Sequence, residues 1–247
     1  MEIKKSKAIL IRKKRFSNSS LILDFVTTDS GRVNTILKGG RSLSKRSKID
    51  KSTDLLSLCE IVYYYKPDQL SILTESFVYS SFSNIRKSLE RWIMGYLFAD
   101  LITLASYPEN DEYNLFCLLL NHLYQLNKEE DTKRLLLSFY AGYLDFCGVL
   151  PDFSTCSITR ESILQDDSFA WCPAIGQAYK LGTQPIYEAF DVHKVSTIKT
   201  LYSIMNGAPI KILDEEFVSL RLLLQEQIAI LHNKYLVSMD LIDQFYS

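Results

Sequence analysis

The 247-residue chain carries 28 Lys and Arg against 29 Asp and Glu, a formal net charge of −1, and is 47% hydrophobic with nine Gly and six Pro. That balance excludes a disordered or collagen-like chain, and the length suits one large domain or two small ones. No apolar run approaches the roughly 20 residues that span a bilayer, and Ala8–Ile11 is too short for a signal-peptide core.

The first 80 residues read as strands. Lys7–Arg12 is a short apolar run with basic flanks, Leu21–Thr27 is rich in large apolar β-formers, and Arg32–Leu37 alternates polar and apolar. Thr28–Gly31 supplies turn chemistry between the latter two, which predicts a hairpin. Residues 38–51 (KGGRSLSKRSKIDK) have no apolar periodicity and read as a loop. Leu55–Lys66 and Leu70–Ser80 are two further aromatic and β-branched runs, joined through Pro67-Asp68-Gln69. Five strands with short turns and one long basic loop fit a small closed barrel better than an open sheet with uncovered edges.

After Phe82 the apolar period changes from 2 to 3.6. Ser83-Asn84 offers an N-cap for a helix through Ser106, with Ile85, Leu89, Trp92, Ile93, Tyr96, Leu97 and Leu101 at core spacing. Further helices are expected at Glu112–Leu126, Glu130–Phe146, Lys194–Met205 and Asp214–Tyr235. Residues 152–190 show weak periodicity and scattered turn residues, so an irregular insertion is expected there. The chain therefore divides into a barrel over residues 1–80 and an all-helical part over 81–247, an α+β arrangement in two parts.

The neutral total conceals a dipole. Residues 1–51 hold 14 Lys and Arg against four acids, a net of +10, and the remainder carries a net of −11. Such asymmetry points to a polyanionic partner for the basic end. Arg12, Lys14, Arg15, Arg32, Lys38, Arg41, Lys45, Arg46 and Lys48 lie on expected strand ends and the loop, where a cation reaches a phosphodiester backbone without burial. A small barrel with a basic groove commonly holds single-stranded nucleic acid, with aromatic faces stacking on bases. Phe25 and part of Tyr63-Tyr64-Tyr65 are expected in the core, and alternation turns one or two of the tyrosines outward.

Catalysis has little support in the residues. His122, His193 and His232 each fall in or beside an expected helix, and there is no nucleophile elbow, phosphate loop or metalloprotease motif. The five cysteines, odd in number and irregularly spaced, argue for a reducing cytoplasm rather than a disulfide framework. Cys156 and Cys172 lack the paired spacing of a zinc ribbon: Thr159 stands three residues after the first, and Phe169 and Ile175 flank the second. The residues thus predict a binding protein with no cofactor and no metal. Lys133 and Arg134, near the start of an apolar helix, are candidates for the rim of a groove receiving a short acidic peptide.

The order of several elements resembles the bacterial recombination mediator family RecO. Ala8-Ile9-Leu10-Ile11-Arg12 leads to a strand ending at Thr28, then Gly31 and Lys38-Gly39-Gly40-Arg41; later come Tyr63-Tyr64-Tyr65-Lys66, Leu73-Thr74-Glu75-Ser76, Leu89-Glu90-Arg91 and the junction Asp145-Phe146-Cys147-Gly148-Val149-Leu150-Pro151-Asp152. The resemblance implies an N-terminal OB barrel followed by a helical domain. It further implies a role in RecF-pathway DNA repair: binding single- and double-stranded DNA, annealing complementary strands, engaging the acidic tail of single-stranded DNA-binding protein (SSB), and helping RecR load RecA, with a functional link to RecF. It matches Arg12, Lys38 and Arg41 to basic barrel positions and assigns Lys45, Arg46 and Lys48 to the following basic loop by neighbourhood. Many family members hold zinc through two Cys-x-x-Cys pairs, of which Cys156 and Cys172 are remnants, so this chain is expected in a zinc-free branch, its insertion a degenerate ribbon. A cytoplasmic, nucleoid-associated protein follows. The alternative from the residues is an RNA-binding OB protein acting in translation or RNA metabolism.

Overall fold

A long first strand organises the N-terminal part. The computed structural model describes residues 2–40, 49, 53–67, 69–106, 111–128, 131–186 and 188–246. Strand β1, Glu2–Arg15, runs well beyond the expected Lys7–Arg12 because it serves two neighbours in turn. Its first half pairs with β4 (Leu58–Tyr65) and its second half with β2 (Leu21–Thr27), both antiparallel, with a register shift between Leu10 and Arg12. Charged side chains that alternate outward do not end a strand whose backbone is paired.

Strands β2 and β3 (Arg32–Leu37) form the expected hairpin. Gly31 has φ of 58° in its turn, a left-handed conformation that favours glycine, and the Thr27 hydroxyl donates to the Gly31 carbonyl at 2.9 Å. Strand β5, Ser71–Ser80, pairs with β4 and closes onto β3 in parallel through Thr35/Ser71 and Ile36/Ile72. The order β1-β2-β3-β5-β4 is a closed barrel, as the strand pattern predicted. Ala8, Leu10, Leu23, Phe25, Val33, Ile61, Tyr63 and Leu73 fill its interior.

The chain separates into two compact units, Met1–Glu130 and Asp131–Ser247. Helices α1 (Leu89–Leu104) and α2 (Glu112–Asn127) belong to the first and pack on β1 and β2, where the outward-facing Ile9 and Val26 are buried. Helix α1 begins later than expected. A single 3-10 turn occupies Ile85–Lys87, and the Ser88 side chain accepts from Arg91 N–H as the true N-cap. Asn84 is spent elsewhere, its backbone N–H and side-chain amide both reaching Asn127 at 3.1 Å. Nor is the whole expected stripe core: Leu89 and Tyr96 are exposed.

In the second unit, α3 (Thr132–Phe146), α4 (Val195–Met205) and α5 (Asp214–His232) pack around Leu136, Phe139, Tyr140, Leu144, Leu220 and Leu224, all buried. Helix α5 stops at Asn233, which takes the left-handed conformation that closes many helices, and a short α6 (Val237–Asp243) follows. The expectation of an irregular segment over 152–190 requires correction. Strands β6 (Ser168–Cys172), β7 (Gln177–Lys180) and β8 (Asp191–Lys194) form an antiparallel sheet in the order β7-β6-β8. Strands of four or five residues carry too few alternations to stand out, and this sheet forms because Phe169 and Trp171 bury completely against Phe153.

Candidate nucleic-acid interface

The second half of β1 delivers a run of cations to one place. Leu10 faces the barrel interior opposite Phe25, and past the bulge Arg12 pairs with Asp24, Lys13 with Leu23, Lys14 with Ile22 and Arg15 with Leu21. Arg12, Lys13, Lys14 and Arg15 are all exposed. Three of them, Arg12, Lys13 and Lys14, line a cleft of about 210 Å³ with Ile11 and Leu55, and Tyr96 and Asp100 of α1 form its other wall. Burial holds the half-buried carboxyl of Asp24 above its usual range, although the charges of Arg12 and Lys14 oppose the shift. Lys13 is paired with Asp54 at 3.2 Å. Close approach of α1 depends on Gly95, where a Cβ would come within 2.7 Å of Leu56 Cδ1.

A second cleft, of about 450 Å³, opens at the seam where β3 and β5 pair through only two residue pairs. Arg32, Asn34, Tyr65, Lys66 and Ser71 line it. Arg32 is more constrained than the sequence suggests, because its guanidinium donates to the carbonyls of Ile102 and Thr103. It therefore satisfies open carbonyls in the last turn of α1, where a cation also suits the helix dipole. Lys38 is exposed just after β3. Arg41, Lys45, Arg46 and Lys48 lie outside the described residues.

Of the aromatics, Phe25 and Tyr63 are core, Tyr64 faces outward, and the ring of Tyr65 carries the Lys4 ammonium 4.3 Å from its centroid. The exposed pair Phe77 and Tyr79, edge-to-face at 5.3 Å, escaped the sequence reading. Their β-branched and polar neighbours hid which face of β5 is wet.

In the second unit, Lys133 is committed to Asp214 at 2.6 Å with its ammonium over the Phe217 ring, and the hydrogen bond from that ammonium, followed by its charge, holds Asp214 below the usual carboxylate range. Arg134 is half-buried, and its backbone N–H is capped by Asp131.

The two cysteines do not fit zinc. Cys156 Sγ receives the Lys180 N–H at 3.4 Å and lies 3.5 Å from the Thr183 hydroxyl. Burial acts to raise this thiol, but hydrogen bonds from Thr159, Thr183 and Lys180 outweigh it and lower it to about 6. Cys172 donates to Glu188 at 3.1 Å, and burial together with that carboxylate pushes its thiol up. Ile175, three residues after Cys172, offers no ligand atom. Among the described residues no three His, Cys, Asp or Glu side chains gather to hold an ion.

Each histidine is engaged in packing. His122 is buried, its Nδ1 2.8 Å from the Leu118 carbonyl; His193 Nδ1 is 3.1 Å from the Ser219 hydroxyl, and His232 Nε2 is 2.8 Å from the Tyr143 hydroxyl. Burial lowers all three below the ordinary value of about 6.5. As the pH falls past about 6.5 the unfolded chain takes up protons that the folded chain refuses, so stability is full above that value and declines toward the depressed folded values. Urea midpoints are expected to drop between pH 7.5 and 5.5; midpoints constant over that range would contradict neutral burial.

Comparison with known proteins agrees with this architecture. The family model described as recombination protein O N terminal matches residues 1–82, and that described as recombination protein O C terminal matches residues 86–184. The DNA repair protein RecO of Rhodopirellula baltica is 34% identical over 152 residues, 61% of this chain and 56% of that protein, so the chain spans just over half the length of this relative. RecO of Syntrophus aciditrophicus is 28% identical over 80% of the chain and 76% of that protein, and RecO of Thermodesulfovibrio yellowstonii 23% identical over 90% and 91%.

Proposed function

This chain belongs to the RecO family of DNA repair proteins, and from that membership we propose that it is a DNA-binding mediator of recombinational repair that performs no chemistry of its own. The observation that carries the reading is the run Arg12–Arg15, exposed at the end of the long strand β1 of a closed five-stranded barrel beside an open cleft. Cations so placed neutralise phosphates of any sequence, which suits a protein that must accept whatever strand is damaged. Packing of all three histidines supports a binding rather than a catalytic role. No described helix is long and apolar enough to cross a membrane. A place with the nucleoid in the cytoplasm is part of the proposal and rests on the family membership alone.

The finer parts of the reading rest on family membership: annealing of complementary strands, and action with RecR and the SSB tail to load RecA, with RecF as a linked factor. For the acidic tail we favour Arg134 over Lys133, because Asp214 already holds the Lys133 ammonium.

Titrating a labelled single-stranded oligonucleotide across a salt series tests the core of the proposal. Log affinity is expected to fall linearly with log salt, with a slope of about −3 to −4 for four to six neutralised phosphates. A slope near zero would overturn the reading. RNA of the same sequence binding more tightly than DNA would instead favour a role in RNA metabolism, since the 2′-hydroxyl is the distinguishing contact.

A further inference from the structure

We propose that Tyr96 of α1 is a base-stacking residue of the nucleic-acid site, so that the first helix, and not the barrel alone, contacts the strand. This inference rests on the nucleic-acid reading above.

The β1–α1 cleft has two chemically different walls. Arg12 and Lys14 supply cations from β1, and Tyr96 and Asp100, one helical turn apart, face them from α1. Tyr96 is 44% exposed, in contrast to the buried Leu97 and Phe98 beside it, and its ring and hydroxyl have no partner among the described residues. An exposed tyrosine held on a rigid helix offers a flat face at little entropic cost. Leu55, whose carbonyl accepts from Arg86 at 2.6 Å, gives the cleft an anchored apolar side.

The asymmetry sets the orientation of the occupant. Phosphates follow the cationic β1 wall. Bases are thereby turned toward α1, where the Tyr96 ring stacks on a π-face that every base possesses. An acidic peptide without aromatic side chains would meet the same cations but gain nothing from the ring. Single-stranded nucleic acid is therefore the occupant that uses both walls.

The test measures anisotropy of a labelled single-stranded oligonucleotide with the wild type, Tyr96→Ala, Tyr96→Phe and Tyr96→Trp, with thermal melts to confirm folding. Tyr96→Ala is expected to weaken binding by about 5- to 50-fold without changing the salt slope, whereas Phe and Trp stay within about two-fold of wild type. An oligonucleotide of abasic sites is expected to bind wild type and Tyr96→Ala alike. If Tyr96→Ala binds as wild type while Arg12→Gln weakens binding, stacking is refuted and the DNA reading survives. Equal loss in Tyr96→Ala and Tyr96→Phe refutes stacking in favour of the hydroxyl. Competition by a polyglutamate peptide as effective, charge for charge, as the oligonucleotide would reassign the cleft to acidic peptides. Absence of wild-type binding to any strand would fail both the inference and the reading beneath it.

Discussion

Replacing Asp243 by Ala is expected to destabilise the second unit by about 3 kcal/mol, the lower end of the range for breaking a buried ion pair, because the Asp243 side chain is partly exposed. Its carboxylate is the centre of a network that ties α6 to α5 and α3. Arg221 on α5, only 5% exposed, donates to Asp243 Oδ1. The Gln225 amide gives one proton to Asp243 at 3.0 Å and the other to the Tyr140 hydroxyl at 3.1 Å. The Tyr235 hydroxyl lies 2.8 Å from Asp243 Oδ2 and 3.1 Å from Gln225 Oε1, and donates its single proton to the nearer carboxylate. Burial pushes the Tyr140 hydroxyl far up, so it stays neutral and accepts. Removing Asp243 strands the Arg221 guanidinium, whose Nε already lacks a hydrogen-bond partner among the described residues. The double variant Arg221→Met with Asp243→Leu is expected to recover most of the loss, since an apolar pair leaves no buried charge. Urea unfolding at 25 °C measures both; a loss below about 1 kcal/mol in Asp243→Ala would show that water reaches Arg221 and the network is not a buried one.

Reversing Lys38, Arg41, Lys45 and Arg46 to Glu is expected to weaken single-strand binding by about three orders of magnitude near 0.1 M salt, and to reduce the salt slope by about 3, if each contacts one phosphate. The loss should be uniform across sequences, because phosphate contacts carry no base information. Arg32→Gln provides the contrast. Its guanidinium is engaged with the carbonyls of Ile102 and Thr103, so this change is expected to leave the salt slope nearly unaltered and to lower the melting temperature of the first unit instead. Oligonucleotide titrations with the two variants at three salt concentrations decide the matter. An unchanged slope in the quadruple variant would remove the basic stretch from the DNA path.

The barrel was legible because it rests on local signals. Alternation in Arg32–Leu37, turn chemistry at Thr28–Gly31 and the aromatic runs before and after Pro67 each mark a strand or its end without reference to distant residues. Periodicity likewise disclosed α2 to α5 to within a few residues. Where local signals compete, distant contacts decide between them. Ser83-Asn84 and Ser88 are both good caps, and the choice between them turned on Asn127, 43 residues away from Asn84. The β6–β8 sheet was invisible because its strands are short and its stability comes from burying Trp171 and Phe169 under Phe153.

For the candidate site, the sequence by itself determined the sign and location of the charge, a basic first 51 residues in a neutral chain, and from it comes the expectation of a polyanionic partner. Only the tertiary structure decided which of those charges are available. A guanidinium and an ammonium count equally in composition, but Arg32 bonds to helix carbonyls, Lys13 meets a carboxylate, and Arg12 and Lys14 face an open cleft. Tyr96 shows the same division in reverse. Its spacing is that of a core residue, yet it stays wet, because a helix buries only the arc that its neighbours cover, and which arc that is depends on where β1 and α2 lie.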